Sequence, residues 1–504
     1  MITHEVLNQV DPLDAYNLFE TDPTLVAAVE REGAGWALPE IRAFGGYVGT
    51  PDWFEQGRLA NRHEPVLHTH DAVGRRIDEV EFHPAWHRLM ECSLRNGLHS
   101  RPFERAPGEG GRVARDAMFM LMSQVEAGHG CPVSMTTSVI PALRAEPAIA
   151  QAWTPTILSR TYDPRMLPVG EKDGATMGMG MTEKQGGSDV RANTTVATPA
   201  PSLGDGVFRL VGHKWFTSAP MCDAFLVLAQ APGGLTCFLL PRILPDGSRN
   251  ALRIQRLKDK LGNRSNASSE VEFEETIVFR VGEEGRGVRT IIEMVGHTRL
   301  DCVVGSTALM RQAVSQAGWH TAHRRAFGAL LSDKPLMRNV VADLEVEVEV
   351  ATLMMMRVSG AFDRMGLDAA EADFARIATP VAKYWVTKRC SETVREAMEC
   401  LGGNGYVEPS ILPPVPGVSG QRDLGGIGQR HRPGRRPSAR GCSRGGEDVR
   451  GGVPTRRGRR SALRRRGGRV GGIAHRAPQP RGRGPAVGRT HGDGVGGEPG
   501  TPTR

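Results

Sequence analysis

Apolar residues recur at three- and four-residue spacing through the first third of the chain, in DPTLVAAVEREG, HPAWHRLMECSL and RDAMFMLMSQVEA. This spacing predicts an amino-terminal helical domain over residues 1–176. From Gly178 the pattern changes to short runs, FRLVGHKWFTSA, DAFLVLAQA, LTCFLLPR and SSEVEFEETIVF, punctuated by Gly, Pro, Asp and Asn. These predict a compact β domain over residues 177–284. Helical spacing returns with GRGVRTIIEMVGHTRLDCVVGS and predicts a second helical domain over residues 285–415. Within it, Leu344–Val350 reads LEVEVEV, which by period alone is a strand. The uninterrupted run from Leu336 to Met356 that contains it favours helix. The fold class expected is therefore α+β multidomain: helical domain, central β-barrel-like domain, helical domain.

After Val415 the pattern ends. Lysine, tryptophan, tyrosine, phenylalanine and methionine vanish, and Gly, Arg, Pro and Ala dominate, so residues 416–504 cannot build a core and are expected to be disordered. The formal charge of +8 belongs to this tail, because its arginine surplus exceeds the total and leaves the preceding body net acidic. No stretch approaches the roughly 18 consecutive apolar residues of a membrane span. The opening Met1-Ile2-Thr3-His4-Glu5 shows no basic-then-apolar leader, and a cytoplasmic location is expected. Eight cysteines without a C-x-x-C pair read as reduced thiols rather than a zinc ribbon or a disulfide scaffold.

At the entry to the β domain stands Met181-Thr182-Glu183-Lys184-Gln185-Gly186-Gly187-Ser188-Asp189. Its glycines let backbone amides approach a ligand, and Thr182 and Ser188 offer hydroxyls. Alone, a polar turn before a strand explains it as well. His63, His68, His70 and Asp71 crowd HEPVLHTHD, but their spacing matches no zinc pattern and a solvated loop is expected, with no metal. Asp259, Lys260 and Arg264 read as a charged hairpin or phosphate-side patch, or equally as a solvated turn.

MTEKQGGSD is followed in order by GHKWFTSA (Gly212–Ala219), LKDKLGNRSNASSEVEFE (Leu257–Glu274), GEEGRG (Gly282–Gly287), RRAFG (Arg324–Gly328) and LGGNGY (Leu401–Tyr406). In this order the segments resemble the acyl-CoA dehydrogenase superfamily. REGAGWA (Arg31–Ala37), EFHPAWH (Glu81–His87) and TEKQGGSD are similar to its AidB-type, DNA-alkylation-response branch, over about residues 5 to 415.

The resemblance implies an FAD site between the β domain and the second helical domain, at a subunit boundary. It assigns Met181, Thr182, Gly187 and Ser188 to the flavin pyrimidine and pyrophosphate side. It makes Phe216 the aromatic over the isoalloxazine, with Thr217 beside it and Ser218 as the hydroxyl donor to flavin N5. Without the ordered motifs Phe216 would read as a strand core aromatic. Arg324 resembles the arginine that reaches the FAD pyrophosphate of a neighbouring subunit, a task suited to its permanently charged fork. Gly402, Gly403 and Gly405 resemble the turn at the adenine side of a neighbour's cofactor, though a plain helix cap fits them too. A homo-oligomer, commonly a tetramer, is implied. Glu399 stands where the family usually has glutamine.

The family removes the substrate α-proton with a carboxylate while hydride leaves the β-carbon for the flavin, so a base is indispensable. The AidB-type pattern carries that glutamate in WEGSGN, and this chain has no such stretch, so no catalytic residue is assigned. Gly417–His431 reads GVSGQRDLGGIGQRH, and permitted codons for it, read from the second base, spell ESPVNAIWEGSGNVI. A one- or two-base slip near Pro414–Pro416 is the expected cause, and it would also replace the further helical domain that the branch associates with DNA. The rival reading of the tail is a basic nucleic-acid-binding arm, which the absence of lysine disfavours. Two functions follow from the resemblance: α,β-dehydrogenation of an acyl-CoA, impaired here, or a non-redox, DNA-binding flavoprotein that protects or repairs DNA.

Overall fold

The computed structural model describes residues 3–407. The tail expected to be disordered, and the WEGSGN position, lie outside the described residues.

Seven helices occupy the first part of the described chain: α1 (Pro23–Arg31), α2 (Leu38–Val48), α3 (Pro51–Arg62), α4 (Pro84–Arg95), α5 (Gly111–Val125), α6 (Gly130–Leu143) and α7 (Pro147–Ile157). Prolines open α1, α3, α4 and α7, where a missing N–H costs nothing and the fixed φ suits the first turn. Asp22 caps α1 by accepting from the Leu25 N–H at 2.9 Å. Between α3 and α4 lies a hairpin, β1 (Val66–His70) and β2 (Arg76–Glu81), turned by Asp71, whose carboxylate accepts from the Val73 and Arg75 amides. This corrects the loop expected around His68 and His70, which are solvent-exposed as expected but lie on a strand. Both histidines sit on β1, and His68 pairs with Glu81 at 2.7 Å, so strand pairing accounts for the cluster.

The β domain comprises β3 (Met177–Gly180), β4 (Val196–Pro199), β5 (Val207–Ser218), β6 (Ala224–Ala231), β7 (Gly234–Pro241), β8 (Leu252–Leu257) and β9 (Ser268–Arg280). β5 pairs with β9, β9 with β7, β7 with β6, and β6 returns through β3 and β4 to β5, closing the sheet into the barrel-like form expected. Phe208, Leu210, Leu226, Leu228, Phe238 and Leu240 are buried in its core.

Three long helices follow: α8 (Gly287–His323), α9 (Pro335–Arg364) and α10 (Ala369–Cys400), with the small hairpin β10 (Arg325–Ala326) and β11 (Ala329–Leu330) between the first two. They share one hydrophobic core with α1 to α5, so the two ends of the described chain are packed on each other. LEVEVEV is helical, within α9. Leu344 and Val348 are buried while Val346 and Val350 are exposed, the i, i+4 signature that a strand cannot produce. No helix among the described residues is long and apolar enough to cross a membrane.

Candidate functional site

β3 runs directly into the Thr182 loop, and Gly180 at its end pairs with Thr217 of β5. The Trp215 N–H donates to the Thr182 carbonyl at 2.8 Å, so the first two motifs are laced together through backbone. A buried ion pair completes the join. Lys214 Nζ donates to Glu183 Oε1 at 2.6 Å and to the Leu228 carbonyl at 2.8 Å. Glu183 Oε2 accepts from the Thr194 amide at 2.7 Å and from Gln185 Nε2 at 2.8 Å. Burial pushes the Glu183 carboxyl up, but the bonds from Lys214 and Thr194 outweigh it and hold the group at about 2. The charged residues of MTEKQGGSD thus include an anchor, Glu183, that faces inward, while Thr182 is half-buried and Ser188 exposed.

The loop's glycines have separate reasons. Gly186 adopts φ +152°, a conformation L side chains rarely take. A Cβ on Gly187 would lie 2.4 Å from Thr182 Oγ1, so this position admits no side chain without displacing the threonine hydroxyl.

β5 carries a bulge: between Lys214 and Thr217 it advances three residues while β9 advances two, from Val271 to Ser269. The extra residue turns Phe216 outward, leaving this large ring 47% exposed beneath Lys258 Nζ at 4.3 Å. Thr217 is 2% exposed and its Oγ1 has no hydrogen-bond partner. Ser218 is half-buried, with its Oγ 3.4 Å from Ser268 Oγ. An outward aromatic, a glycine cradle, neighbouring hydroxyls and an orphaned buried Thr217 oxygen form a surface that fits a flat, hydrogen-bonding ring with a polar tail.

Arg324 and the glycine turn lie elsewhere. α8 starts against Thr236 and Cys237 of β7, and its 37 residues, about 55 Å of helix, carry the chain away from the β domain to Arg324. At that far end, Arg324 donates to the Asn8 carbonyl, and Asn404 Nδ2 contacts Gln9 Oε1 at 3.4 Å. The amino-terminal segment therefore gathers Arg324 and Gly402, Gly403 and Gly405 into one cluster. Gly402 has φ +59°, and a Cβ on Gly405 would meet the Met398 carbonyl at 2.3 Å. One chain brings together Met181, Thr182, Gly187, Phe216, Thr217 and Ser218, and separately Arg324 with the 402–405 turn.

Two residues given no role in the sequence reading hold the Asn263–Ser268 loop. Lys260, expected in a charged or solvated turn, is half-buried and clasps its own loop, donating to the Asn263 carbonyl at 2.8 Å and to the Asn266 carbonyl. Glu126 is buried and bonded by the amides of Gly128 and His129, by His129 Nδ1 at 2.8 Å, and by Asn61 and Ser265. Burial opposes its charge, yet the His129 bonds hold it at about 2. His129 Nε2 in turn meets Ser93 Oγ at 2.8 Å, so the set has the connectivity of a hydrolytic triad, but all three are buried and it serves as a tie between α4, α6 and the Ser265 loop. A lysine on the buried parity of β5, as at Lys214 after Phe208 and Leu210, was the signal for the ion pair.

Sequence comparison agrees with this architecture piece by piece. Residues 8–164 match the adaptive response protein AidB N-terminal domain, 178–276 the acyl-CoA dehydrogenase middle domain, and 285–415 the acyl-CoA dehydrogenase C-terminal domain. The chain belongs to the acyl-CoA dehydrogenase family. Within that family its sequence lies in the AidB branch, being 52% identical over 412 residues to the acyl-CoA dehydrogenase-family protein AidB of Escherichia coli (strain K12), covering 82% of this chain and 75% of that protein. Acyl-CoA dehydrogenase family member 11 of Caenorhabditis elegans is 30% identical over 427 residues, covering 79% of this chain and 66% of that one. The crystal structure of C. elegans ACDH-11 in complex with C11-CoA superposes with a TM-score of 0.76 at 27% identity, over 84% of this chain and 74% of that one. The apo form of Bd2924 gives 0.75 at 28% identity, over 82% and 83%.

Proposed function

We propose that this chain is an FAD-binding flavoprotein whose family reaction is the α,β-dehydrogenation of an acyl-CoA, and that its catalytic carboxylate is missing. The observation that carries the reading is the outward Phe216 on a bulge beside Ser218, laced to the Thr182 loop by a buried ion pair. The flavin, when bound, supplies the hydride acceptor. Phe216 would cover its ring, Ser218 would donate a hydrogen bond toward N5, and Thr182 and Ser188 with the Gly187 backbone would hold the pyrimidine and pyrophosphate side. An acyl-CoA is the substrate class, as the C11-CoA complex of the C. elegans neighbour suggests. Arg324 and the 402–405 turn serve a neighbouring copy's cofactor, which makes the working form a homo-oligomer, a tetramer in the family's usual arrangement.

Three buried carboxylates of the described body are committed elsewhere: Glu183 to Lys214, Glu126 to His129, and Asp301 to Arg112 and Arg115. None of these three is free to take a substrate proton, and the expected base falls beyond residue 407. Anaerobic titration of the FAD-loaded chain with acyl-CoAs tests this. The oxidised flavin band should persist here and bleach in a version whose reading frame restores WEGSGN. Bleaching of the unaltered chain, or none in the restored one, refutes it. Nucleotide sequencing across Pro414–Pro416 tests the slip itself.

The second reading, a DNA-binding flavoprotein of the alkylation response in the cytoplasm, is favoured by the match of residues 8–164 to the adaptive response domain. Salt-dependent retention on duplex DNA by the frame-restored chain supports it, and loss of retention on deleting residues 416–504 of the present chain assigns binding to the tail.

A further inference from the structure

Behind Ser218 lies a line of donors that the family reaction does not account for. Lys260 Nζ spends its three protons on the Asn263 carbonyl at 2.8 Å, the Asn266 carbonyl, and Ser268 Oγ at 3.4 Å. An ammonium donates and cannot accept, so the direction of the last contact is fixed: Ser268 oxygen receives. With that lone pair engaged, the Ser268 hydroxyl proton is available to Ser218 Oγ, 3.4 Å away. With Ser268 as the donor, the Ser218 proton is left to point outward from the wall.

We propose that Lys260 is a positioning residue that acts through Ser268 to orient and polarise the Ser218 hydroxyl, and so sets how readily a flavin seated against Ser218 accepts electrons. The inference rests on the placement of flavin N5 at Ser218 proposed above. Its physical basis is cooperative: a hydrogen bond from a charged donor strengthens the next bond in the chain, most of all where water is scarce. The ammonium's setting is consistent with this. Burial lowers Lys260 to about 8, so it stays largely charged at neutral pH, and the groups around it are Cys131 of α6, Glu126 at the end of α5, Glu64 after α3 and Arg264 of its own loop. The arrangement differs from a surface lysine near a cofactor in being directional, since removing either link returns the Ser218 rotor to freedom.

The test uses the full chain loaded with FAD, equilibrated anaerobically with a reference dye at a fixed potential, with the ratio of reduced to oxidised flavin read from the visible spectrum. Ser268→Ala breaks the chain but leaves the Lys260 clasp on both carbonyls, so folding is preserved. It should lower the ratio about tenfold, the weight of one charge-assisted hydrogen bond, and shift the oxidised band. Lys260→Met should do the same, and Lys260→Arg should recover part of the loss. If Lys260→Met fails to fold, Ser268→Ala alone decides. An unchanged ratio and band in Ser268→Ala, together with a clear shift in Ser218→Ala, overturns the relay and leaves the flavin placement standing. No shift in Ser218→Ala overturns the placement, and the relay with it.

Discussion

Replacing Lys214 with methionine removes the cation that joins β5 to the Thr182 loop, and the cost can be worked from the geometry. The side chain is fully buried, and its ammonium lies 2.6 Å from Glu183 Oε1. At an effective dielectric constant of about 20, that pair has a gross attraction of about 6 kcal/mol, much of it offset by desolvation of both charges. Removing one partner leaves the other charged and buried, a loss of about 3–5 kcal/mol. Glu183 keeps its bonds from the Thr194 amide, the Thr194 hydroxyl, the Thr195 amide and Gln185, which argues for the lower end. The Leu228 carbonyl loses its Lys214 bond, which adds about 1 kcal/mol. Lys214→Met is therefore expected to cost about 3–4 kcal/mol. In Lys214→Met/Glu183→Gln no uncompensated charge remains, so the double substitution should cost about 2 kcal/mol less than the sum of the singles. Urea denaturation of the FAD-loaded proteins, followed by tryptophan fluorescence and by flavin release, measures both quantities. A cost under about 1 kcal/mol for Lys214→Met, or a coupling below about 0.5 kcal/mol, would refute the claim that this pair holds the site together.

Gly187→Ala should weaken FAD binding by roughly tenfold to a hundredfold, as expected for about 1–3 kcal/mol of overpacking, because the new Cβ meets Thr182 Oγ1 at 2.4 Å; a flavin titration monitored by fluorescence checks it, and wild-type affinity would show that the threonine moves freely aside. Acid should destabilise the fold below pH 6.5. Burial lowers His99 to about 4 and His297 to about 3, so between their unfolded value and these the unfolded chain binds more protons, and each histidine removes up to about 1.4 kcal/mol per pH unit as pH falls. His99→Gln should flatten that slope in urea midpoints measured from pH 7 to pH 5. Arg115→Met should cost about 3–5 kcal/mol, since Arg115 is fully buried, donates to the Leu98 carbonyl at 2.6 Å, and with Arg112 neutralises Asp116 and Asp301; a thermal scan equal to the parent's would count against it.

Much of this was written in local pattern. Three- and four-residue spacing marked the helices, and runs of Val, Leu and Phe between turn residues marked the barrel strands, because each depends on the chain's own period against water. Even LEVEVEV was decided by the length of the helical run around it. The ordered motifs likewise named Thr182, Phe216 and Ser218 as neighbours, since family segments keep their sequence when their packing is kept.

What local pattern did not hold was partnership across the chain. HEPVLHTHD had the composition of a loop, and only the register between Val66–His70 and Arg76–Glu81 made it a hairpin. Glu183 and Lys260 looked like solvated charges in polar segments, and they are half or fully buried because Lys214 lies 31 residues on and because the loop to Ser268 folds back onto the ammonium. The distance between Arg324 and the Ser218 wall was set by the length of α8, a quantity no motif contains. A sequence fixes which residues are able to donate, accept or be buried; which of them meet is decided by tertiary packing, because a buried charge is tolerated only where a distant part of the chain supplies its partner.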